Sequence, residues 1–329
     1  MVNIALWVLA TGALALAAVE IFLRARYGLG DPPLYVADAR TGYRLAPHQN
    51  LRRRGNHIAI NAYSMRGPSI APGRDTDTLR VLMLGDSIVN GGWWTDQSEL
   101  LSLRVQTALD TLKPAEFQQV EVLNASANSW GPRNELGYVL RFGTFESQVV
   151  LMVLNTDDLF AIAPHSHDLG RSPQYPIRRP LLAIGEAVAR RRKYVPSAEL
   201  QVLHDQPGDR VGVNLEAVRQ LNQVVEAAGG QLAIAMTPLL RELSDDGPRD
   251  YERAARQRLT AFAQTESIPY LDFLSRFQQA RYELLYFDNI HLSGAGNSLV
   301  GQALAELVVV EGLAHQPPAF AQDPLSDFW

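Results

Sequence analysis

The 329-residue sequence contains no cysteine, which excludes disulfides, thiolate metal sites and a cysteine nucleophile. Lysine occurs only at Lys113 and Lys193, so positive charge is carried almost wholly by arginine. The net charge of −5 lacks the excess by which proteins bind nucleic acid through bulk electrostatics, and no nucleic-acid partner is expected. No Lys or Arg precedes the N-terminal apolar run, a deficit that weakens a secretory-signal reading of it. The G-x-S-x-G pattern of alpha/beta-hydrolases is also missing, because position 89 is Val. No internal repeat or long low-complexity tract is present.

What is present begins with residues 2–23, nearly continuous apolar sequence broken by Asn3, Thr11, Gly12 and Glu20. That length suits a helix crossing a bilayer. Ala13-Leu14-Ala15 and Ala15-Leu16-Ala17 resemble signal cleavage sites and keep that alternative open. A buried core helix would need cover on every side. Residues 1–26 are therefore read as a single-pass membrane anchor. Arg24, Arg26, Arg40 and Arg44 follow it, and the positive-inside rule then places the globular part in the cytoplasm.

The remaining chain, 47% hydrophobic over the whole sequence, is long enough for one large domain or two small ones. Residues 27–78, rich in Gly, Pro, Arg and Asn, read as a lead-in of loops and short strands. Over 79–312, strand and helix patterns alternate, the signature of a mostly parallel sheet covered on both faces. Strands are expected at 80–84, 120–123, 149–154, 232–236 and 270–273. Helices are expected at 99–112, 134–141, 181–192, 215–228 and 249–264, with a last one from Ser293 to about 310. Asn214 is the expected cap of the 215–228 helix. The proline-broken stretch 158–206 reads as an insertion able to shape a pocket. The basic run Arg190 to Lys193 within it reads first as solvated helix-end charge and secondly as membrane-facing. Residues 313–329 read as a loosely packed tail.

Two short motifs carry chemistry. Gly85-Asp86-Ser87 directly follows Val81-Leu82-Met83-Leu84, so Ser87 stands where a buried strand hands over to a helix or loop. Near the other end, Asp288-Asn289-Ile290-His291 sets a carboxylate three residues before an imidazole. Together they supply nucleophile, general base and orienting acid for acyl transfer. Alone, Gly-Asp-Ser is equally a turn sequence, since all three residues favour turns. Trp93 and Trp94 could wall a pocket or simply pack under the loop after Ser87. Asp157, Asp158, His165, His167 and Asp168 hold metal-compatible groups, but their spacing matches no familiar set, and no metal or cofactor is expected.

In this order the motifs resemble the SGNH, or GDSL, family of esterases, lipases and carbohydrate deacetylases, over roughly residues 58–310. Ile60-Asn61-Ala62-Tyr63-Ser64-Met65-Arg66-Gly67 also resembles the lead-in of membrane-anchored members. The resemblance implies an α/β fold, a flavodoxin-like three-layer sandwich around a five-stranded parallel sheet, here preceded by the transmembrane helix. It implies Ser87, Asp288 and His291 as the catalytic triad and an extracytoplasmic domain, against the charge rule. It also implies an oxyanion hole of the Ser87 N–H, a glycine N–H after the second strand, and an asparagine amide after the third. In this sequence Ser129 stands at the glycine position, with Gly131 two residues on, and Asp157 stands at the asparagine position, followed by Asp158. An ionised carboxylate would repel an oxyanion. Either Asn155 donates from a shifted position or Asp157 serves another role. The expected activity is serine esterase action on short-chain or O-acetyl esters, with an acylated glycan or lipid as substrate. An O-acetyltransferase or deacetylase working on a cell-surface glycan is the alternative, and a catalytically weak binding scaffold a further one.

Overall fold

The computed structural model describes residues 2–313, so the expected tail at 313–329 lies, but for its first residue, outside the described residues. The chain opens with helix α1 (Val2–Tyr27), whose stretch Ile4–Tyr27 has a mean hydropathy of 2.1 and no burial. It is long and apolar enough to cross a membrane, and a signal sequence would meet the same criteria. Two antiparallel hairpins follow, β1 (Tyr35–Asp38) with β2 (Gly42–Leu45) and β3 (Gln49–Arg53) with β4 (Asn56–Ile60). Their inward residues Tyr35, Tyr43, Leu45, Leu51, Ile58 and Ile60 pack into the same core as one face of the main sheet.

That sheet alternates with helices along the chain. The elements are β5 (Thr78–Gly85), α2 (Ser87–Asn90), α3 (Leu101–Leu112), β6 (Gln119–Ser126), α4 (Pro132–Phe142) and β7 (Val149–Asn155). After β7 come α5 (Ala183–Arg191), α6 (Ala198–Asp205), α7 (Arg210–Ala227), β8 (Gln231–Thr237), α8 (Asp250–Thr265), β9 (Tyr270–Asp272), α9 (Leu274–Gln278) and α10 (Gly294–Leu307). All neighbouring pairs are parallel, in the order β6-β5-β7-β8-β9. Order reverses at β5, first in sequence yet second in space, and such a switch point opens a crevice beyond the carboxyl ends of the strands.

Successive residues of the central strands serve opposite faces, as the two-residue period of a strand requires. Leu82, Leu84, Val150, Met152, Ile234 and Met236 belong to the layer with α4, α7, α8 and the hairpins. Val81, Met83, Leu151, Val153, Ala233 and Ala235 belong to the layer with α3, α9 and α10. Burial on both faces explains why β5 and β7 read as unbroken apolar runs.

One cap differs from expectation. Helix α7 starts four residues before Asn214, with the Asp209 carboxylate accepting the Gly212 N–H at 3.0 Å. Asn214 is instead fully buried and donates to Leu159 O and Ala161 O, both at 3.0 Å, pinning the segment that leaves β7. Those two bonds satisfy the amide protons that burial would otherwise strand.

Candidate active site

Each strand end at the switch point delivers one part of the site. β5 ends at Gly85, where a Cβ would lie 2.4 Å from Val89 Cγ2 and 2.8 Å from Val153 O, so only glycine fits the approach. Asp86 then caps α2, its Oδ1 accepting the Ile88 N–H at 2.8 Å. This sets Ser87 as the first helical residue, buried to 9% exposure but lining the cleft.

The Asp288–His291 turn approaches from the far end of the chain. Asp288 Oδ1 accepts the N–H groups of Ile290 and His291 at 2.9 and 2.8 Å, while its Oδ2 lies 2.7 Å from His291 Nδ1. His291 Nε2 lies 2.8 Å from Ser87 Oγ. A carboxylate fixed by two backbone donors and bonded to Nδ1 favours the tautomer whose Nε2 can accept the hydroxyl proton. Partial burial pushes the Asp288 carboxyl up, but the His291 and Ile290 donors outweigh it and hold its pKa below the ordinary value. The turn is held by the Tyr286–Leu292 bridge and by Ser293, which caps α10 through the Gly296 N–H at 3.2 Å. The Trp94 ring lies 4.3 Å from the imidazole and stacks on Phe287, closing one side of it.

The oxyanion positions resolve unevenly. Ser129 adopts φ 59°, the left-handed conformation that a glycine enters freely, so it keeps the backbone shape that its position calls for. Its Oγ accepts from Tyr175 OH at 2.8 Å, and no hydrogen bond to its N–H occurs among the described residues. Gly131 is a correction to the sequence reading. Its N–H donates to Asn134 Oδ1 at 3.0 Å inside the α4 cap, which leaves it no proton for an oxyanion. Asn155 ends β7 and lines the cleft, its Nδ2 donating to Asp86 Oδ2 at 3.0 Å and its Oδ1 accepting the Asp157 N–H at 2.8 Å. Asp157 faces the cleft, and burial of its surroundings raises its pKa. Asp158 turns inward, where its Oδ2 accepts the Asn155 N–H at 2.8 Å and burial raises its pKa well above the usual range.

Beneath Ser87 lie three buried carboxyl groups, Asp86, Glu135 and Asp158. Burial raises the pKa of Asp86, opposed by the Ile88 N–H and by the charge of His291. Burial also raises Glu135 well above its usual range, reinforced by the charge of Asp86. Asp86 Oδ2 lies 3.2 Å from Ser87 Oγ, so the hydroxyl has two neighbouring acceptors and its shorter contact is with the imidazole.

Sequence reasoning missed the groups that the lead-in contributes. Arg66 is fully buried and donates to the carbonyls of Asn90, Gly92 and Thr95, which shapes the loop bearing Trp93 and Trp94. Tyr43 donates to Asn128 O at 2.6 Å and accepts the Trp130 indole N–H on its own carbonyl at 2.9 Å, fixing the loop that holds Ser129. The signal was the Met65-Arg66-Gly67 block, whose contacts span too many residues to be read from spacing. His165 and His167 stack at 5.6 Å, and among the described residues no group of three or more His, Asp or Glu is arranged to hold a metal ion. The cleft measures about 710 Å³ and reaches from Ser87 past Trp93, Trp94 and Tyr35 to Tyr175 and Pro176.

The structure is similar to several solved proteins. An acetyl xylan esterase, AlAXEase, aligns at 12% identity over 70% of this chain and 100% of its own, with a TM-score of 0.45. Axe2, an acetylxylan esterase from Geobacillus stearothermophilus, aligns at 14% identity over 73% of this chain and 96% of its own, with a TM-score of 0.46. TesA aligns at 15% identity over 70% and 97%, with a TM-score of 0.45. No curated protein matches the sequence. The GDSL-like Lipase/Acylhydrolase family matches residues 83–299, a span that contains Gly85-Asp86-Ser87 at one end and Asp288 and His291 at the other, and the chain belongs to that family of ester-bond hydrolases.

Proposed function

We infer that the protein is a membrane-tethered serine esterase that works through an acyl-serine intermediate. The observation that carries this reading is the continuous relay from Ser87 Oγ to His291 Nε2 and from His291 Nδ1 to Asp288. Ser87 Oγ attacks the ester carbonyl while its proton passes to Nε2, and Asp288 stabilises the resulting imidazolium. The oxyanion receives the N–H groups of Ser87 and Ser129 and the Asn155 amide, which trades its bond to Asp86 for the new charge. Collapse expels the alcohol with the proton from His291. Water then repeats the sequence and releases the acid. Helix α1, whose apolar stretch is unburied among the described residues, holds the enzyme at a membrane.

The test uses short p-nitrophenyl esters and a fluorophosphonate probe on wild type and Ser87→Ala. Wild type is expected to hydrolyse the esters and take the label, and the variant to do neither. Equal labelling and turnover by the variant would sink the reading. A second reading, transfer of the acyl group to a glycan hydroxyl, draws support from the cleft, whose roughly 710 Å³ exceeds the needs of a short ester alone. Product analysis with an added oligosaccharide separates the two, since free acid as sole product counts against transfer.

A further inference from the structure

We propose that the loop at residues 177–182 is a second membrane contact, dipping into the bilayer interface beside α1; this rests on the reading of α1 as a membrane-spanning helix. The argument starts from Glu20, a carboxylate on an otherwise apolar helix face. It pairs with Arg24 at 2.7 Å and accepts the Ala183 and Ile184 N–H groups at 2.8 and 3.1 Å, capping the start of α5. Arg24 also donates to Leu181 O at 2.9 Å. The beginning of α5 is thereby fixed level with residues 20–24, short of the end of α1 at Tyr27.

Glu186, on the next turn of α5, accepts the Gly30 N–H at 2.6 Å and pairs with Arg53, which docks α5 on the turn that follows α1. The loop before α5 is thereby held against the C-terminal turns of α1. A helix rises about 1.5 Å per residue, so Glu20 sits roughly 10 Å below Tyr27, within the interfacial depth of a bilayer that α1 would span.

The composition of the loop fits that depth. Leu181 is 93% exposed, Leu182 56% and Ile177 52%, three aliphatic side chains each more than half open to solvent. Arg178 and Arg179 lie between them and are exposed, Arg179 also pairing with Asp31 at 2.6 Å. Aliphatic tips flanking cations suit a lipid interface, where the tips reach the acyl boundary and the guanidinium groups meet phosphate. Continuity with α1 selects a bilayer over a protein partner, because the same side chains that dock the loop belong to the apolar helix. Pro176, the residue before the loop, lines the cleft and accepts the Tyr35 N–H at 2.9 Å. The contact would thus hold one wall of the cleft directly above the lipid surface.

The absence of native cysteine makes single-site labelling direct. Nitroxides are placed at Leu9→Cys, Leu181→Cys, Leu182→Cys, Val188→Cys and Val213→Cys in the full chain, reconstituted in phosphatidylcholine–phosphatidylglycerol nanodiscs. Relaxation by oxygen and by a water-soluble nickel chelate then reports depth. Expected depth falls in the order Leu9, then Leu181 and Leu182, then Val188, with Val213 fully aqueous. A lipid-embedded Leu9 label with aqueous labels at both Leu181 and Leu182 overturns the second contact and leaves the anchor standing. An aqueous Leu9 label overturns the anchor and this inference together. Having two loop positions guards against one substitution disturbing the loop.

Discussion

Asn155 and Glu135 lie on opposite sides of Asp86 in function, one offering protons to it and the other competing with it for charge. The Asn155 amide donates to Asp86 Oδ2 at 3.0 Å at the mouth of the cleft. Losing one oxyanion donor lowers kcat by about 10²–10³-fold, and Asn155→Ala is expected to fall in that range with KM little changed. A steady-state comparison on a p-nitrophenyl ester checks it, and an unchanged kcat would remove Asn155 from the hole. Glu135 is fully buried, and neither carboxyl oxygen finds a partner among the described residues. Because its folded pKa is raised above the ordinary 4.5, both states are protonated at lower pH and its ionisation takes no stability there. Above 4.5 the unfolded chain ionises first, so stability falls as pH rises, by up to about 1.4 kcal/mol per pH unit until the folded group also ionises. Glu135→Gln removes that loss. Denaturant melts should find the variant and wild type similar near pH 4, with the variant gaining steadily toward pH 8. A constant difference across that range would show that Glu135 ionises normally in the fold.

At the scale of elements, the lead-in behaves as scaffolding for the site rather than as its preface. Among the described residues Arg66 has no carboxylate partner and is buried among the three carbonyls of the 90–95 loop, so burial lowers its pKa to about 10. Arg66→Met retains the volume but strands those carbonyls, at a cost on the order of 3 kcal/mol for lost charge-assisted bonds. The Trp94 ring beside His291 would lose its support, so kcat/KM should fall further than Tm alone explains. A variant that is destabilised yet keeps full kcat/KM would confine Arg66 to stability. How such elements appear in sequence differs sharply. The central strands β5, β7 and β8 were legible because burial on both faces forces continuous apolar runs, and these and the partly buried edge strands β6 and β9 lie within a few residues of their expected positions. Ser87, Asp288 and His291 stood out because their residue types sit at fixed offsets from strand and helix ends. Arg66, Tyr43 and Asn134 did not, because each acts on a backbone atom whose neighbourhood exists only after folding. The Gly131 donor was lost for that same reason, its N–H having gone to Asn134 within the α4 cap. Short α6, with its Ser197 cap, was hidden inside a proline-rich stretch that propensity alone reads as loop.

For the molecule as a whole, the decisive asymmetry is between a close-packed catalytic body and a helix whose N-terminal apolar turns are exposed among the described residues. Ile4, Trp7, Leu9 and Leu14 of α1 are each 70% exposed or more, whereas the sheet strands beside the site are wholly buried. At about 1.5 Å per residue the 26 residues of α1 span roughly 39 Å, enough for a hydrocarbon core of about 30 Å with the turns after Glu20 left to the interface. The contacts at Glu20 and Arg24 would survive cleavage after Ala15 or Ala17, so docking alone does not separate an anchor from a signal. Retention does. An anchored enzyme keeps the mass of residues preceding Ala15 and stays in the membrane pellet after alkaline extraction. A cleaved one loses both that mass and its pellet fraction. Leu14→Arg sharpens the test, because an arginine at the centre of a span costs about 3 kcal/mol of insertion. The variant should shift toward the alkali-soluble fraction while its esterase activity, set some distance away at the mouth of the sheet, stays at the wild-type level. Equal retention of wild type and Leu14→Arg would mean that α1 is not a membrane anchor.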